Sequence, residues 1–224
     1  MLKFDKVKHC YRNVHTNEEY TSATTLISKF KKKFDVEFFA KKTADKEGIT
    51  VEEVKAKWQK INSDSKVRGS SIHSAIDEYN KTGEKPQEFK DILDSLESLK
   101  LYDRSIAKCE ELVYNHNYRL AGTADCIEDL GSTFNVYDYK TNKKFNLYSQ
   151  YNSFFLDPIS HMSDCEYNAY SLQLSLYAYM YQSMTGKRVG KLGIAYLDSE
   201  NKFNVYYSPY LLTDVQKILN HVKN

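Results

Sequence analysis

Residues 122–144 read GTADCIEDLGSTFNVYDYKTNKK, and the fold turns on how this stretch is read. Two short β-like runs flank the glycine-containing turn at Leu130-Gly131, the pattern of a hairpin. The first run carries Asp125; the second closes on Asp138-Tyr139-Lys140. Strand side chains alternate between faces, so Phe134, Val136, Asp138 and Lys140 share one face and Asn135, Tyr137 and Tyr139 the other. A two- or four-residue loop places Asp125 opposite Val136, diagonal to Asp138 on the same face. An odd loop without a bulge turns Asp125 away.

Two carboxylates held close together repel unless a cation joins them. Mg²⁺ prefers oxygen ligands and keeps several waters, which leaves room for a phosphate. A lysine beside such a site is a compact charge that can hold the attacking water. These parts suit metal-assisted hydrolysis of a phosphodiester. An isolated D-x-K triplet is far more often a surface ion pair on a hairpin; three features elsewhere in the chain shift the balance.

The chain has 224 residues, 41% hydrophobic and 28% charged, with a net charge of +2. That is long enough for a sizeable core and ordinary for a globular protein. The charge is too small to announce a polyanion partner, so nucleic acid has to be met by a local basic patch. No apolar run approaches a membrane span, and MLKFDKVKHCYRN lacks the apolar core of a signal peptide. Cys10, Cys109, Cys126 and Cys165 include no CxxC pair, which disfavours zinc and iron–sulfur binding and fits free thiols in a reducing compartment. The expected location is the cytoplasm.

Residues 1–65 read as helical after a short extended start. Thr50-Val51-Glu52-Glu53 fits a capping box, with Ile49 and Val54 as a hydrophobic staple. A second helix is predicted from Gly69 to about Asn80, and a third after Pro86. Strands follow near 106–114, 119–128 and 133–140, then an irregular aromatic segment over 145–164. A long helix over 165–185, strands over 191–197 and 202–208, and a last helix from Thr213 complete the chain. This order predicts one α/β (α+β) domain over 1–224, mainly helical over 1–100 and sheet-containing over 101–224.

Three further features bear on the hairpin acids. His73, in Arg68-Gly69-Ser70-Ser71-Ile72-His73, lies off the Ile72/Ile76/Tyr79 stripe. Glu110 and Glu111 sit together on the strand before Asp125. Gln173 and Tyr177 share a face of an apolar helix, where a glutamine needs a partner.

The order His73, Glu110, Gly122-Thr123-Ala124-Asp125, Asp138-Tyr139-Lys140, Gln173…Tyr177 resembles the PD-(D/E)XK nuclease superfamily, in particular its RecB-like branch. The stretch from Tyr20 to Tyr177 is similar to phage exonucleases and to the mitochondrial genome maintenance exonuclease. The resemblance implies a restriction-endonuclease-like core, with a central mixed β-sheet flanked by helices. It implies that Asp125 and Asp138 bind Mg²⁺ or Mn²⁺, that Glu110 and His73 complete the metal site, and that Lys140 orients the water. Gln173 and Tyr177 then brace the lysine or touch the nucleic-acid backbone, as would Arg68. Glu110 rather than Glu111 rests on the following Leu112-Val113. Ala124 stands where the superfamily's name has proline, in the GxxD form usual in this branch.

The expected partner is DNA, as single strands or ends. Lys143 and Lys144 follow the active-site strand, and Lys29-Phe30-Lys31-Lys32-Lys33-Phe34 interleaves bases with aromatics. The Lys- and Asn-rich composition fits an AT-rich viral genome. The expected activity is an exodeoxyribonuclease in replication, recombination or DNA degradation. The rivals are a structure-selective endonuclease and a non-catalytic nucleic-acid-binding module on the same fold.

Overall fold

The computed structural model describes residues 2–5 and 10–223. Met1, residues 6–9 and Asn224 lie outside the described residues, so part of the N-terminal stretch read above for signal-peptide character does too. In chain order the elements begin with β1 (Leu2–Asp5), β2 (Cys10–Asn13), β3 (Glu19–Ser22), α1 (Ala23–Ser28), α2 (Val36–Glu47), α3 (Val51–Thr82) and α4 (Lys90–Ser98). There follow β4 (Ala107–Asn115), β5 (Leu120–Asp129), β6 (Thr133–Lys140), α5 (Glu166–Thr185), β7 (Arg188–Leu197), β8 (Phe203–Ser208) and α6 (Leu212–Lys223).

The sheet runs β1-β2-β3-β5-β6-β7-β8, with β4 paired to β5. It is mixed: β3 meets β5 and β6 meets β7 in parallel, and the other pairs are antiparallel. Helices cover both faces. On one, Ala124, Ile127, Phe134 and Val136 pack against Leu172 and Leu176 of α5. On the other, Cys126, Tyr137 and Tyr139 pack against Ile72, Ile76 and Tyr79 of α3 and Leu93 and Leu96 of α4. Helix α5 is buried all round from Ser171 to Ala178, because it lies between the sheet and helices α1 and α6. Among the described residues no helix is long and apolar enough to cross a membrane.

Three expectations need correction. The first 65 residues are not helical after a brief extended start: β1, β2 and β3 form a meander that joins the main sheet. Each has only four residues, too short for an alternation to declare itself. Their apolar residues Leu2, Tyr11 and Tyr20 gather with Ala121 of β5. Second, the helices expected on either side of Gly69 are one helix of 32 residues. The predicted capping box is present: the Thr50 N–H donates to Glu53 Oε2 at 2.8 Å, and the Glu53 N–H to Thr50 Oγ1 at 3.2 Å. Between Trp58 and Ile72 the helix buries no residue, so no apolar stripe marks its continuity.

The third correction concerns register. Leu130 N–H donates to the Thr133 carbonyl at 2.9 Å, closing the turn on Gly131 and Ser132. Gly131 takes φ 84°, which glycine adopts without steric cost. Ile127, not Asp125, therefore stands opposite Val136. The same register, carried two residues further, sets Asp125 across from Asp138.

Strand β4 follows one edge of β5 from Leu120 to Glu128. The other edge is shared: β3 pairs Leu120 and Ala121, and β6 pairs Cys126 to Asp129. Residues 122–125 thus lie in the fork between β3 and β6, where the backbone opens toward a cleft.

Candidate active site

Two clusters meet at this fork, one facing the cleft and one facing α5. On the cleft side, the β4/β5 register pairs Cys109 with Cys126 and Glu111 with Ala124, so Glu110 falls across from Asp125. Like charges directly opposite each other on a ladder are unfavourable. Glu110 also takes φ 51°, a left-handed conformation uncommon for a residue with a Cβ. The alternation of faces slips at the same step: Ala124 and Cys126, two apart, pack into opposite cores. Such strain, about 1–3 kcal/mol per residue, is kept where a site needs it.

His73 comes down on these acids from α3, its Nδ1 3.5 Å from Asp125 Oδ1. Gly69, one turn earlier, lets the helix approach: a Cβ there would lie 3.0 Å from Thr141 Oγ1. His73, Glu110 and Asp125 each offer a ligand atom, all within 4.8 Å of one another. One imidazole nitrogen and two carboxylates form a donor set suited to a hard divalent ion that keeps waters. Glu111, opposite Ala124, stands outside the trio.

Burial pushes the Asp125 carboxyl up, but the charge and hydrogen bond of His73, with Lys140 and the Tyr139 N–H, hold it below its ordinary value. That N–H donates to Asp125 Oδ2 at 2.7 Å. Burial works against a proton on His73, yet Asp125 more than reverses this and lifts the imidazole to about 9. Glu110 is raised by burial and by repulsion from Asp125.

On the α5 side, Asp138 is 2% exposed and lies outside the trio. Lys140 Nζ sits 2.5 Å from Asp138 Oδ2 and donates to Gln173 Oε1 at 3.1 Å. Gln173 Nε2 lies 3.4 Å from Asp138 Oδ1 and 2.9 Å from the Tyr177 hydroxyl. Gln173, the polar group on an apolar helix, thus has a partner at each end. Burial lifts Asp138 to about 6 against the pull of Lys140, with Asp125 adding repulsion. Burial disfavours the Lys140 charge, but Asp138 and Asp125 hold its pKa above the usual value.

Gly122 belongs to the same construction, since a Cβ there would meet Tyr177 Cε1 at 2.4 Å. Tyr170 was given no role from the sequence; its ring centroid lies 4.5 Å from Lys140 Nζ. Its place one turn before Gln173 on the same helix was the available signal. Tyr11, also missed, reaches in from β2 to bond Thr123 Oγ1 at 3.0 Å.

The trio lies in an open cleft of about 1240 Å³. Tyr11, Ser22, Thr25 and Lys29 line one side, and Ser70, His73, Asp77 and Lys81 of α3 the other. His73, Asp77 and Lys81 recur every fourth residue, one helix face. Arg68 turns elsewhere: it donates to the Thr141 carbonyl at 3.4 Å and to Asn201 Oδ1 at 3.0 Å. Lys143 and Lys144 are exposed in the loop after β6, outside the lining of the cleft.

Residues 92–224 match the model of the PD-(D/E)XK nuclease superfamily. The chain belongs to that superfamily. It is therefore a nuclease, its substrate is nucleic acid, and the superfamily's use of divalent metal ions suits the acidic cluster. No curated protein matches the sequence. Among solved structures, an exonuclease candidate from Eubacterium rectale is 10% identical, with a TM-score of 0.39, covering 87% of this chain and 67% of its own. The protein SSO0001 is 15% identical, with a TM-score of 0.32, covering 68% of this chain and 72% of its own. Likenesses this distant add nothing to the superfamily assignment.

Proposed function

We propose that this nuclease is a metal-dependent DNA exonuclease acting on single strands or free ends. The observation that carries the reading is the meeting, at one fork of the sheet, of a cleft-facing trio with a buried, protonated lysine. His73, Glu110 and Asp125 would hold Mg²⁺ or Mn²⁺, while Asp138, engaged with Lys140 and Gln173, would support the lysine. When bound, the ion supplies Lewis-acid polarisation of the phosphate and a more acidic water.

The protein's own residues do the rest. Lys140 keeps its proton, so it acts through charge: it holds the attacking water by a hydrogen bond and stabilises negative charge growing on the phosphate. Asp138, Gln173 and the Tyr170 ring fix its ammonium group in place, and Tyr177 fixes Gln173.

Beyond the cleft, α2 and the segment before it are basic and aromatic. Seven lysines face four acids between residues 29 and 47, a net +3 where the whole chain carries +2. Phe34 and Phe38 are 61% and 60% exposed, and Phe34 stacks on Phe39 at 4.7 Å. Lysines follow phosphates, and bare rings stack on unpaired bases at about 1–3 kcal/mol per base. This supports single strands over duplex.

The test is cleavage of end-labelled linear and circular single-stranded DNA with Mg²⁺, Mn²⁺ or EDTA, beside Asp125→Ala. Mononucleotides released from linear DNA only, and only with metal, are expected. Circles cut as fast as linear strands would overturn the exonuclease reading. Undiminished cutting by Asp125→Ala would overturn the site.

A further inference from the structure

We propose that Cys109 and Cys126 form a site of reversible oxidation, a disulfide closing across β4 and β5 that lowers nuclease activity. The effect on activity rests on the active-site reading above; the cross-link itself does not.

The two cysteines are direct partners across the antiparallel ladder. Directly opposed Cα atoms on such ladders are about 4.5 or 5.5 Å apart, depending on the pair type. Both spacings fall within the roughly 4.4–6.8 Å that a disulfide spans. Both thiols are free. Among the described residues no other cysteine is so placed. Cys10 faces Asp5 on β1, and the Cys165 thiol donates to the Leu147 carbonyl at 3.3 Å.

The position in the chain gives the pair its consequence. Cys109 precedes Glu110 and Cys126 follows Asp125, so the bridge would brace the two acids of the trio from one side. An S–S bond of about 2.0 Å is shorter than any thiol hydrogen bond. Closing it pins the two strands beside Glu110, whose left-handed backbone is where the ladder already yields. The two carboxylates then lose the freedom to adjust around an ion beside His73.

The chemistry balances with hydrogen peroxide as oxidant. Cys126 is wholly buried and Cys109 is half-buried, so peroxide meets Cys109 first. The Cys109 sulfur takes one peroxide oxygen, giving sulfenic acid and one water. The Cys126 sulfur then attacks the Cys109 sulfur, displaces the hydroxyl as a second water and forms the S–S bond. Two thiols lose two hydrogens while one peroxide becomes two waters; a dithiol reverses the step.

The test exposes the whole protein to graded hydrogen peroxide, alkylates it, digests it without reductant and maps the peptides by mass. Mn²⁺ titration and DNA cleavage are followed in parallel. A Cys109–Cys126 cross-link is expected while Cys10 remains alkylatable, with Mn²⁺ affinity and cleavage lowered together by about 10–100-fold, as for disturbed support of a metal ligand. Dithiothreitol should restore both. Cys109→Ser should cut like the parent when reduced and resist peroxide. Both thiols alkylating after peroxide would overturn the site. A cross-link that leaves Mn²⁺ affinity unchanged would overturn the regulatory effect. If the reduced parent cuts no DNA, the DNA-exonuclease reading fails by itself, and the cross-link and Mn²⁺ affinity still decide this one.

Discussion

Asp125 and Asp138 lie across one hairpin, yet the fold treats them in opposite ways. Asp125 faces a cleft, is held below its ordinary pKa and has a histidine and a second acid around it. Asp138 faces α5, is lifted to about 6 and has its cation supplied by the chain, 2.5 Å away. The strand register alone would treat the pair alike. The difference comes from the slip in alternation beside Glu110 and from Gln173, which reaches from a buried helix to complete the Lys140–Asp138 pair. One acid stands at a cleft with two other candidate ligands, the other holds a lysine.

That contrast breaks most severely at Lys140. Lys140→Ala leaves Asp138 buried without its partner, a loss expected to cost about 3–5 kcal/mol, read by denaturant unfolding. The sign of its pH dependence follows from the raised carboxyl. A group whose folded pKa lies above its unfolded value stabilises most below the unfolded one, near 4, and loses that contribution as pH rises through the folded one. The variant should therefore be closer to the parent at pH 5 than at pH 8. Equal losses at both would show that Asp138 is not the group left behind.

The cleft side should respond in metal affinity instead. Asp125→Ala removes a proposed ligand outright, so Mn²⁺ affinity should fall by more than about 100-fold, the upper range for disturbing a ligand's support. Stability should fall less than for Lys140→Ala: the Tyr139 N–H and His73 lose their acceptor, but the repulsion of Asp125 with Glu110 and Asp138 is relieved. His73 is raised to about 9, so without an ion it is protonated at neutral pH and must release that proton to ligate. Parent affinity for Mn²⁺ should climb as pH rises toward 9, and His73→Gln should flatten the climb. A parent affinity independent of pH from 6 to 9 would remove His73 from the ligand set.

How much of this was legible beforehand follows from the range of each interaction. The hairpin, the shared face of Asp138 and Lys140, and helix α5 were readable because alternation and four-residue spacing are local. Gln173 was visible as a polar residue in an apolar helix, though the atoms it would join were not. The meander β1–β3 was missed because its strands are four residues long and are held by Tyr11, Tyr20 and contacts a hundred residues away. Gly69 was misread as a helix start; its reason is the approach of α3 to Thr141, a tertiary fact. The loop was placed one residue early, and that moved the register by two. Arg68 illustrates the reverse: the resemblance gave it a role toward nucleic acid, and what was not legible is that its guanidinium also joins Thr141 after β6 to Asn201 in the β7–β8 turn.

Gly122 joins the two sides, and its replacement tests whether they are one construction. Gly122→Ala puts a methyl group where Tyr177 Cε1 lies 2.4 Å away, and overpacking of this kind costs about 1–3 kcal/mol. Displacing Tyr177 should loosen Gln173 and so the lysine pair, lowering cleavage more than Mn²⁺ affinity. Tyr177→Phe in the parent separates ring from hydroxyl: it keeps the contact with Gly122 but removes one of the partners of Gln173. If that change leaves cleavage intact while Gly122→Ala lowers it, the ring positions Gln173 by packing and the hydroxyl is dispensable.

The mildest change concerns Asp129, at the far end of β5, which gives the baseline for both acids. It pairs with Lys187 and, at 3.3 Å, with Lys108, and Lys187 first among them draws its carboxyl down to about 2. A depressed carboxyl contributes stability above its unfolded pKa, near 4, and loses it as pH falls toward 2. Asp129→Asn should therefore cost no more than about 1 kcal/mol at pH 7, as for solvent-screened pairs, and the cost should vanish near pH 2. Added salt should shrink it further, whereas the Lys140→Ala loss, screened by the core, should persist in the same salt. If salt erased both equally, the pair beneath α5 would be no better shielded than a surface bridge, and the contrast between the cleft-facing and core-facing acids would fail.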